Sequence, residues 1–317
     1  MARIVTLTLN PALDLSTSVD AVVEAHKLRC ESPQVHPGGG GVNVARVLHR
    51  LGADVLAMAT AGGPTGERLG EKLRAEGLRT VWLPIAGETR ESFTVHERQT
   101  GREFRFVLPG PTLAEEEWRR CLARIESLPE APAYLVASGS LPPGVPIDFY
   151  ARLARIARQA GIRLVLDASG EPLKAALAEG VWGVKPSLRE MRALTGHALS
   201  TLPEQLAAAR DLAASGRAEM VGLSLGPQGA LMVTRDEAVS AQAVEVPILG
   251  TVGAGDSFVA GWIAQWSLEA DVAKALRDAV ATASAALMAT GTALSQPDEV
   301  ARLKPLVKLQ RHALDLK

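Results

Sequence analysis

Short, nearly unbroken apolar runs alternate along this chain with longer stretches in which apolar side chains return every three or four positions. The runs Ile4–Leu9, Val55–Thr60, Tyr134–Ser138, Leu164–Asp167 and Met220–Ser224 predict buried strands. The 3.6-residue period predicts helices at Val42–Leu51, Gly66–Glu76, Ile147–Gln159, Leu202–Ser215 and Asp256–Gln265. Apolar strands in a βαβ rhythm predict an α/β fold whose mostly parallel central sheet is covered on both faces. Ligands of such sheets gather at the carboxyl ends of the strands. The polar residues that follow the strands therefore matter first: Asn10, Asp14, Ser138, Ser140, Asp167, Lys185 and Ser224.

Two segments break the rhythm. Residues 87–109 predict a hairpin, with Phe93 and Val95 alternating with polar neighbours, a turn near Thr100-Gly101, and Phe104 and Phe106 flanking Arg105. Residues 12–36 lack helical periodicity and contain Lys27-Leu28-Arg29-Cys30. Together they predict a small β-sheet lid outside the main layer, with Arg on one face and Phe and Val on the other. The expected division is a core of 1–11, 37–86 and 110–317 and a lid of 12–36 and 87–109. A thin sheet cannot bury its apolar face alone, so a second subunit is expected to cover it.

Composition narrows the class. The chain has 317 residues, 47% of them hydrophobic, enough for one large α/β core. Its 34 Lys+Arg against 35 Asp+Glu give no global field for nucleic acid or a membrane surface, so any working cation cluster must be local. Cys30 and Cys121 lack metal-ligand spacing and suit a reducing compartment. The stretch Met1-Ala2-Arg3-Ile4-Val5-Thr6-Leu7-Thr8-Leu9 reads as a strand rather than a signal peptide. No apolar run reaches the roughly 20 residues of a membrane span. The expectation is a cytoplasmic protein. None of the six His residues has a partner at metal or catalytic spacing, and His36, beside a glycine loop, is read as structural.

The most informative stretch is Gly250-Thr251-Val252-Gly253-Ala254-Gly255-Asp256-Ser257-Phe258, a side-chain-poor loop and a carboxylate before a helical pattern. Backbone N–H groups at such a helix start attract an anion. A carboxylate there would repel a passive phosphate, but it makes sense as the acceptor of a hydroxyl proton during phosphoryl transfer. The alternative is an ordinary N-cap Asp. A second glycine loop, Pro37-Gly38-Gly39-Gly40-Gly41-Val42-Asn43, opens another helix and is either a close-approach site or a mobile turn. It lies some thirty residues beyond the first strand, too far for a dinucleotide fingerprint, and no P-loop occurs.

In order and spacing, these two glycine segments resemble the signatures of the ribokinase-like sugar kinases, the PfkB family. The resemblance extends to Thr6-Leu7-Thr8-Leu9-Asn10-Pro11-Ala12-Leu13-Asp14, Lys27-Leu28-Arg29-Cys30, Ser138-Gly139-Ser140-Leu141-Pro142-Pro143-Gly144 and Ser224-Leu225-Gly226-Pro227-Gln228-Gly229-Ala230, which look like the phosphofructokinase branch. It implies a ribokinase-like three-layer sandwich and ATP-dependent phosphorylation of the C1 hydroxyl of fructose 6-phosphate. By the same resemblance, Asp256 is the general base, the N–H groups of Ala254, Gly255 and Asp256 form the anion hole, and Gly253 belongs to the same catalytic loop. Asp14 and Asn43 hold sugar hydroxyls, Gly38 and Gly39 give clearance, and Ser138 and Gly139 line the substrate site. Lys27, Arg29, Arg90 and Arg105 pair with the 6-phosphate, Lys27 and Arg29 in a neighbouring subunit's site.

On the nucleotide side the resemblance points to Lys185, Ser187, Ser224, Gly226, Gly229, Thr251 and Ser284 for ATP. Glu190 would hold Mg²⁺ through water, joined by Asp167, and potassium near residues 286–293 is a further candidate. The family usually shows Asn-x-x-Glu where this chain reads Ser187-Leu188-Arg189-Glu190. Physically Ser-x-x-Glu is also a capping box, a pattern that Thr112-Leu113-Ala114-Glu115 repeats. Asp167 is open to a turn-capping role, and Ser224–Gly229 to a plain β-turn. A homodimer through the lid is implied. Alternatives are a tagatose-6-phosphate kinase or 1-phosphofructokinase of the same family, whose members commonly carry Lys where this chain has Gly40, and a non-catalytic sugar-phosphate or nucleotide sensor.

Overall fold

The computed structural model describes residues 4–313; residues 1–3 and 314–317, the ends of the expected core, lie outside the described residues. Ten strands form the main sheet. From one edge the order is Leu309–His312, Ala238–Ala241, Ala230–Thr234, Ala218–Ser224, Val181–Val184, Arg163–Asp167, Tyr134–Ser138, Ile4–Thr8, Val55–Ala61 and Thr80–Pro84. Every pairing from Ala218–Ser224 to Thr80–Pro84 is parallel, and the three strands at the other edge are antiparallel. The strand period of two divides the core. Leu135 and Ala137 enter one apolar layer, while Tyr134 and Val136 enter the other. Helices Glu115–Glu126, Phe149–Gln159, Gly170–Glu179 and Leu202–Ala214 cover the first layer. Gly40–Arg50, Gly63–Ala75, Ala254–Leu268 and Val272–Leu287 cover the second. This is the expected α/β three-layer sandwich.

The predicted elements all form, within a few residues of their expected ends. One shift matters chemically. The helix expected at Asp256–Gln265 begins two residues earlier, at Ala254, with Gly253 as its N-cap in the left-handed region (φ 78°). Asp256 therefore sits inside the first turn and is not the N-cap residue. The sheet accommodates this helix closely: Gly183 lies under the Trp262 ring, where a Cβ would come within 2.8 Å. Trp262 in turn stacks on Trp182, with 5.9 Å between ring centroids.

The small sheet has the order Gln34–Gly38, Ala12–Val19, Arg90–Glu97, Glu103–Val107. Its two inner strands are parallel and the outer pairings antiparallel. Register sets Phe93 opposite Phe106 and Val95 opposite Phe104, and it sets Thr94 opposite Arg105. One face thus carries Phe and Val, and the other carries Asp14, Arg90 and Arg105, as the alternation predicts. The strand entering the glycine loop runs to Gly38, two residues past the boundary expected at 36. The capping box expected at Thr112–Glu115 does not form. Helix Glu115–Glu126 has Ala114 as N-cap, and Glu117 supplies the carboxylate, accepting from Ala114 N–H (2.7 Å) and Ala86 N–H (2.6 Å). The second bond ties the helix to the preceding strand–loop junction, an advantage Glu115 does not have.

Candidate active site

Thr8, Ser138, Asp167, Val184 and Ser224 end successive parallel strands, so their carboxyl ends form one edge. The start of helix Ala254–Leu268 meets that edge. Its first helical bond runs from Ser257 N–H to Gly253 O (2.8 Å), which leaves the N–H groups of Ala254, Gly255 and Asp256 outside the ladder. Gly253 is required twice, by its positive φ and because a Cβ would overlap the Leu294 side chain.

Asp256 is held from two directions. Its Oδ2 accepts from Asn43 Nδ2 (2.9 Å) and its Oδ1 from Ser138 Oγ (3.3 Å). Burial pushes the carboxyl above its ordinary range; the Asn43 hydrogen bond, Lys185, Ser138 and Arg105 oppose the shift. Asn43 Oδ1 is buried without a protein partner, an acceptor left for a donor from the cleft. Lys185 Nζ lies 3.2 Å from Asp167 Oδ1. A Cβ on Gly255 would stand 3.4 Å from that ammonium, so the pair abuts the helix turn bearing Asp256. Burial first, then Asp256 and Glu190, push Asp167 up to about 6 against the pull of Lys185. Burial disfavours the Lys185 charge, but Asp167, Glu190 and Asp256 outweigh it and raise its pKa. One ammonium is thus set against three carboxyl groups.

The wall expected to face the sugar is built from the small sheet and the Gly38–Gly41 loop. A Cβ on Gly38 would collide with the Asp14 carboxylate, so this glycine makes room for that side chain. Gly39 (φ 104°) packs on Pro11, and a side chain at Gly40 would overlap Ser138. The loop is therefore fitted to the strand ends and is not a mobile turn. Burial raises the Asp14 pKa, with Arg105, Arg90 and Arg46 opposing. Arg90 donates to Asn10 O (3.1 Å) and Leu108 O (3.1 Å), and its buried Nε has no protein partner. Arg105 is exposed on the same face. Gly139 (φ 113°) donates its N–H to Asp167 O (3.0 Å), linking two adjacent strand ends.

Other expected residues are placed less tightly. Lys27 and Arg29 lie exposed on the loop after Val19, at the far end of that strand from Ala12, and do not join the Asp14 cluster. Ser187 and Ser224 lie side by side in an isolated bridge, with Ser224 N–H donating to Pro186 O (3.1 Å). Ser187-x-x-Glu190 does form the capping box: Glu190 Oε2 accepts from Ser187 N (2.8 Å) and Oγ (2.8 Å). Gly226 (φ 62°) opens a 3₁₀ turn closed at Gly229 (φ 105°), in place of a plain β-turn. Thr251 lines a cavity of about 370 Å³ with Gly250, Thr290, Gly291 and the polar face of the small sheet. Ser284 is buried one turn before Leu287, whose carbonyl accepts from Leu249 N–H (2.8 Å). Sequence reasoning did not single out Arg46. It is fully buried and donates to Glu76, Pro37 O (2.9 Å) and Thr292 O (3.0 Å). The available signal was a cation on an otherwise apolar helix face.

Chemically, the arrangement offers a proton acceptor beside three free helix-start amides, flanked by hydrogen-bonding groups for a polyol and cations for an anion. The family model for pfkB family carbohydrate kinases matches residues 7–299. ATP-dependent 6-phosphofructokinase isozyme 2 of Mycobacterium tuberculosis is 46% identical over 300 residues, 95% of this chain and 88% of that relative. The isozyme 2 of Escherichia coli K12 is 40% identical over 304 residues, 96% and 98% of the two chains. The crystal structure of phosphofructokinase-2 from Escherichia coli in complex with fructose-6-phosphate superimposes with a TM-score of 0.91 at 37% identity, covering 96% of this chain and 99% of that one.

Proposed function

Because the chain belongs to the pfkB family of carbohydrate kinases, we propose that it transfers the γ-phosphoryl group of ATP to the C1 hydroxyl of fructose 6-phosphate, giving fructose 1,6-bisphosphate. The observation that carries the reading is a half-buried carboxylate, Asp256, in the same helical turn as the free N–H groups of Ala254, Gly255 and Asp256. The names of the two relatives above supply the acceptor.

In this mechanism Asp14 and the free Asn43 Oδ1 receive sugar hydroxyls and orient C1–OH toward Asp256, with Ser138 and Gly139 closing that wall. Asp256 takes the hydroxyl proton as the oxygen attacks the γ-phosphorus. The helix-start amides, behind Gly253, take up the charge of the migrating phosphoryl group. Arg90 and Arg105 hold the 6-phosphate, and Lys27 and Arg29 reach a phosphate only across a subunit boundary. Lys185, Ser187, Ser224, Gly226, Gly229, Thr251 and Ser284 bind ATP. Among the described residues no three acidic, His or Cys side chains stand together as direct metal ligands, so a divalent cation here would rely on water and the ATP phosphates for most of its ligands. Mg²⁺ would be held through Glu190 and Asp167 by way of water and supplies charge neutralisation of the β- and γ-phosphates. For potassium near 286–293, the carbonyls of Thr292 and Ala293 are already taken by Arg46 and Arg50, so other carbonyls would serve.

The small sheet acts as a lid and, in this reading, as the homodimer contact. Phe93 (36% exposed) and Phe106 (55%) present its apolar face, which a second subunit would bury. Light scattering should give twice the chain mass, and Phe106→Glu should halve it. No helix among the described residues is long and apolar enough to cross a membrane. We place the enzyme in the cytoplasm, where ATP is abundant, which cell fractionation would check.

An ADP-coupled assay with fructose 6-phosphate, tagatose 6-phosphate and fructose 1-phosphate as separate acceptors tests the assignment. Fructose 6-phosphate should give the highest kcat/KM. Equal or better turnover of fructose 1-phosphate refutes the branch, and no turnover of any acceptor favours a sensor.

A further inference from the structure

Arg46 and Arg50 stand one turn apart on helix Gly40–Arg50, and Glu76 binds both. Arg46 reaches in two further directions, to Pro37 O at the entrance of the sugar-side glycine loop and to Thr292 O. Arg50 donates to Ala293 O (2.5 Å) and Ser295 O (3.4 Å). Between these clamped carbonyls lies Leu294, which is 1% exposed and held at φ 62°. A leucine stays in the left-handed region only where its surroundings over-determine it. Its side chain occupies the space that a Cβ of Gly253 would need.

We infer that Arg46, Arg50 and Glu76 form a positioning strut: by fixing the strained Leu294 against Gly253, they set the helix-start amides and Asp256 in register with the glycine loop. The inference rests on the proposed kinase chemistry for its purpose, but not for its physical content. The hydrogen bonds of all three residues go to protein groups rather than into the cleft. Their arrangement joins the two loops that flank the reacting groups, Pro37–Gly41 on the sugar side and 290–295 on the nucleotide side, through one buried guanidinium. Arg46 suits the task because its planar fork grips the Glu76 carboxylate through two nitrogens while a third donates to two carbonyls, more bonds in fixed directions than the three donors of an ammonium supply.

The test uses Arg46→Lys, Arg50→Lys and Glu76→Gln in the full chain, with two readouts. Hydrogen exchange should accelerate at 253–258 and 290–295, including Ser257 N–H, while the distal part of the helix, 260–268, stays unchanged. With saturating substrates kcat should fall by about tenfold in Arg46→Lys, less than the roughly 10²-fold that a 1 Å misplacement can cost, with a smaller change in either KM. If only the melting temperature drops, with exchange at 253–258 and kcat per folded molecule unchanged, the cluster is a structural ion network and the inference is overturned. Should Arg46→Lys fail to fold, Arg50→Lys and Glu76→Gln carry the same criterion, since the Glu76 side chain is 26% exposed. The exchange readout needs no substrate. A wrong acceptor assignment would therefore leave it standing, and an unmoved exchange pattern would sink the strut even in an active kinase.

Discussion

Replacing Asp256 by Asn should separate catalysis from folding in this protein. The side chains are nearly isosteric. The new amide oxygen can accept from Asn43 Nδ2, now bound at 2.9 Å, and the new NH₂ can donate to Ser138 Oγ, now at 3.3 Å. Neither neighbour is left unsatisfied. The carboxylate itself is costly where it stands, because burial raises its pKa above the ordinary value. A folded-state pKa above the unfolded one means that the group's contribution to stability is complete below the unfolded pKa and is lost as pH rises through the folded value. At neutral pH the variant should therefore melt at or above the temperature of the parent. Activity should move the other way. Loss of a positioned general base costs about 10²–10⁴-fold in kcat, or roughly 2.7–5.5 kcal/mol of transition-state stabilisation. The ADP-coupled assay reads kcat, calorimetric titration checks that ATP still binds, and a thermal scan reads stability. A variant with kcat within threefold of the parent would remove Asp256 from the chemistry. A large loss of activity matched by a large loss of stability would refute the argument that the site tolerates the amide.

Further outcomes follow from the same geometry. Arg105→Ala removes an exposed guanidinium and should raise the KM for the sugar phosphate roughly 10- to 100-fold, the range of a charged hydrogen bond, with stability unchanged. Arg90→Ala should raise the same KM and also lower the melting temperature, because it abandons Asn10 O and Leu108 O; an effect of either variant on ATP alone would contradict the phosphate assignment. Gly38→Ala drives a Cβ into the Asp14 carboxylate and should lower kcat/KM for the sugar phosphate by about tenfold or more, leaving ATP binding intact; unchanged kinetics would show that Asp14 is not in contact with substrate. Asp167 titrates near 6 in the fold, so its contribution to stability is complete below about pH 4 and is lost as pH rises through 6. The melting temperature of Asp167→Asn relative to the parent should accordingly improve between pH 4 and 6.5 in scanning calorimetry, and a flat difference would refute the shift.

Much of this was legible in the chain because the informative residues obey local rules. Strands buried on both faces are written as apolar runs, and the polar residue ending each run, such as Ser138 or Asp167, lands on the sheet edge by topology alone. The hairpin of the small sheet was equally plain, since a one-residue slip would put Phe93 and Phe106 on opposite faces. What could not be read were contacts between distant segments. Arg46 and Glu76 are thirty residues apart and meet Thr292 only after the sheet is assembled. The start of the helix at Ala254 depends on Leu294 filling the space beside Gly253, which no local pattern announces. Ser187-x-x-Glu190 and Thr112-x-x-Glu115 look alike as strings, yet only the first caps a helix, because Glu117 is better placed to reach Ala86. The antiparallel edge strands Ala238–Ala241 and Leu309–His312 are each only four residues long, and only their pairing identifies them.

The small sheet is stitched from two stretches of chain, 12–38 and 90–107, and each enters and leaves the main body separately. Asp14, Arg90 and Arg105 ride on it as passengers of a single plate, so a shift of the sheet carries all three backbones together. Recognition of the acceptor then becomes a collective event. Damage to one passenger weakens the grip of the rest, giving non-additive double variants within one polypeptide and a threshold-like response to incomplete sugars that lack either the phosphate or the hydroxyl.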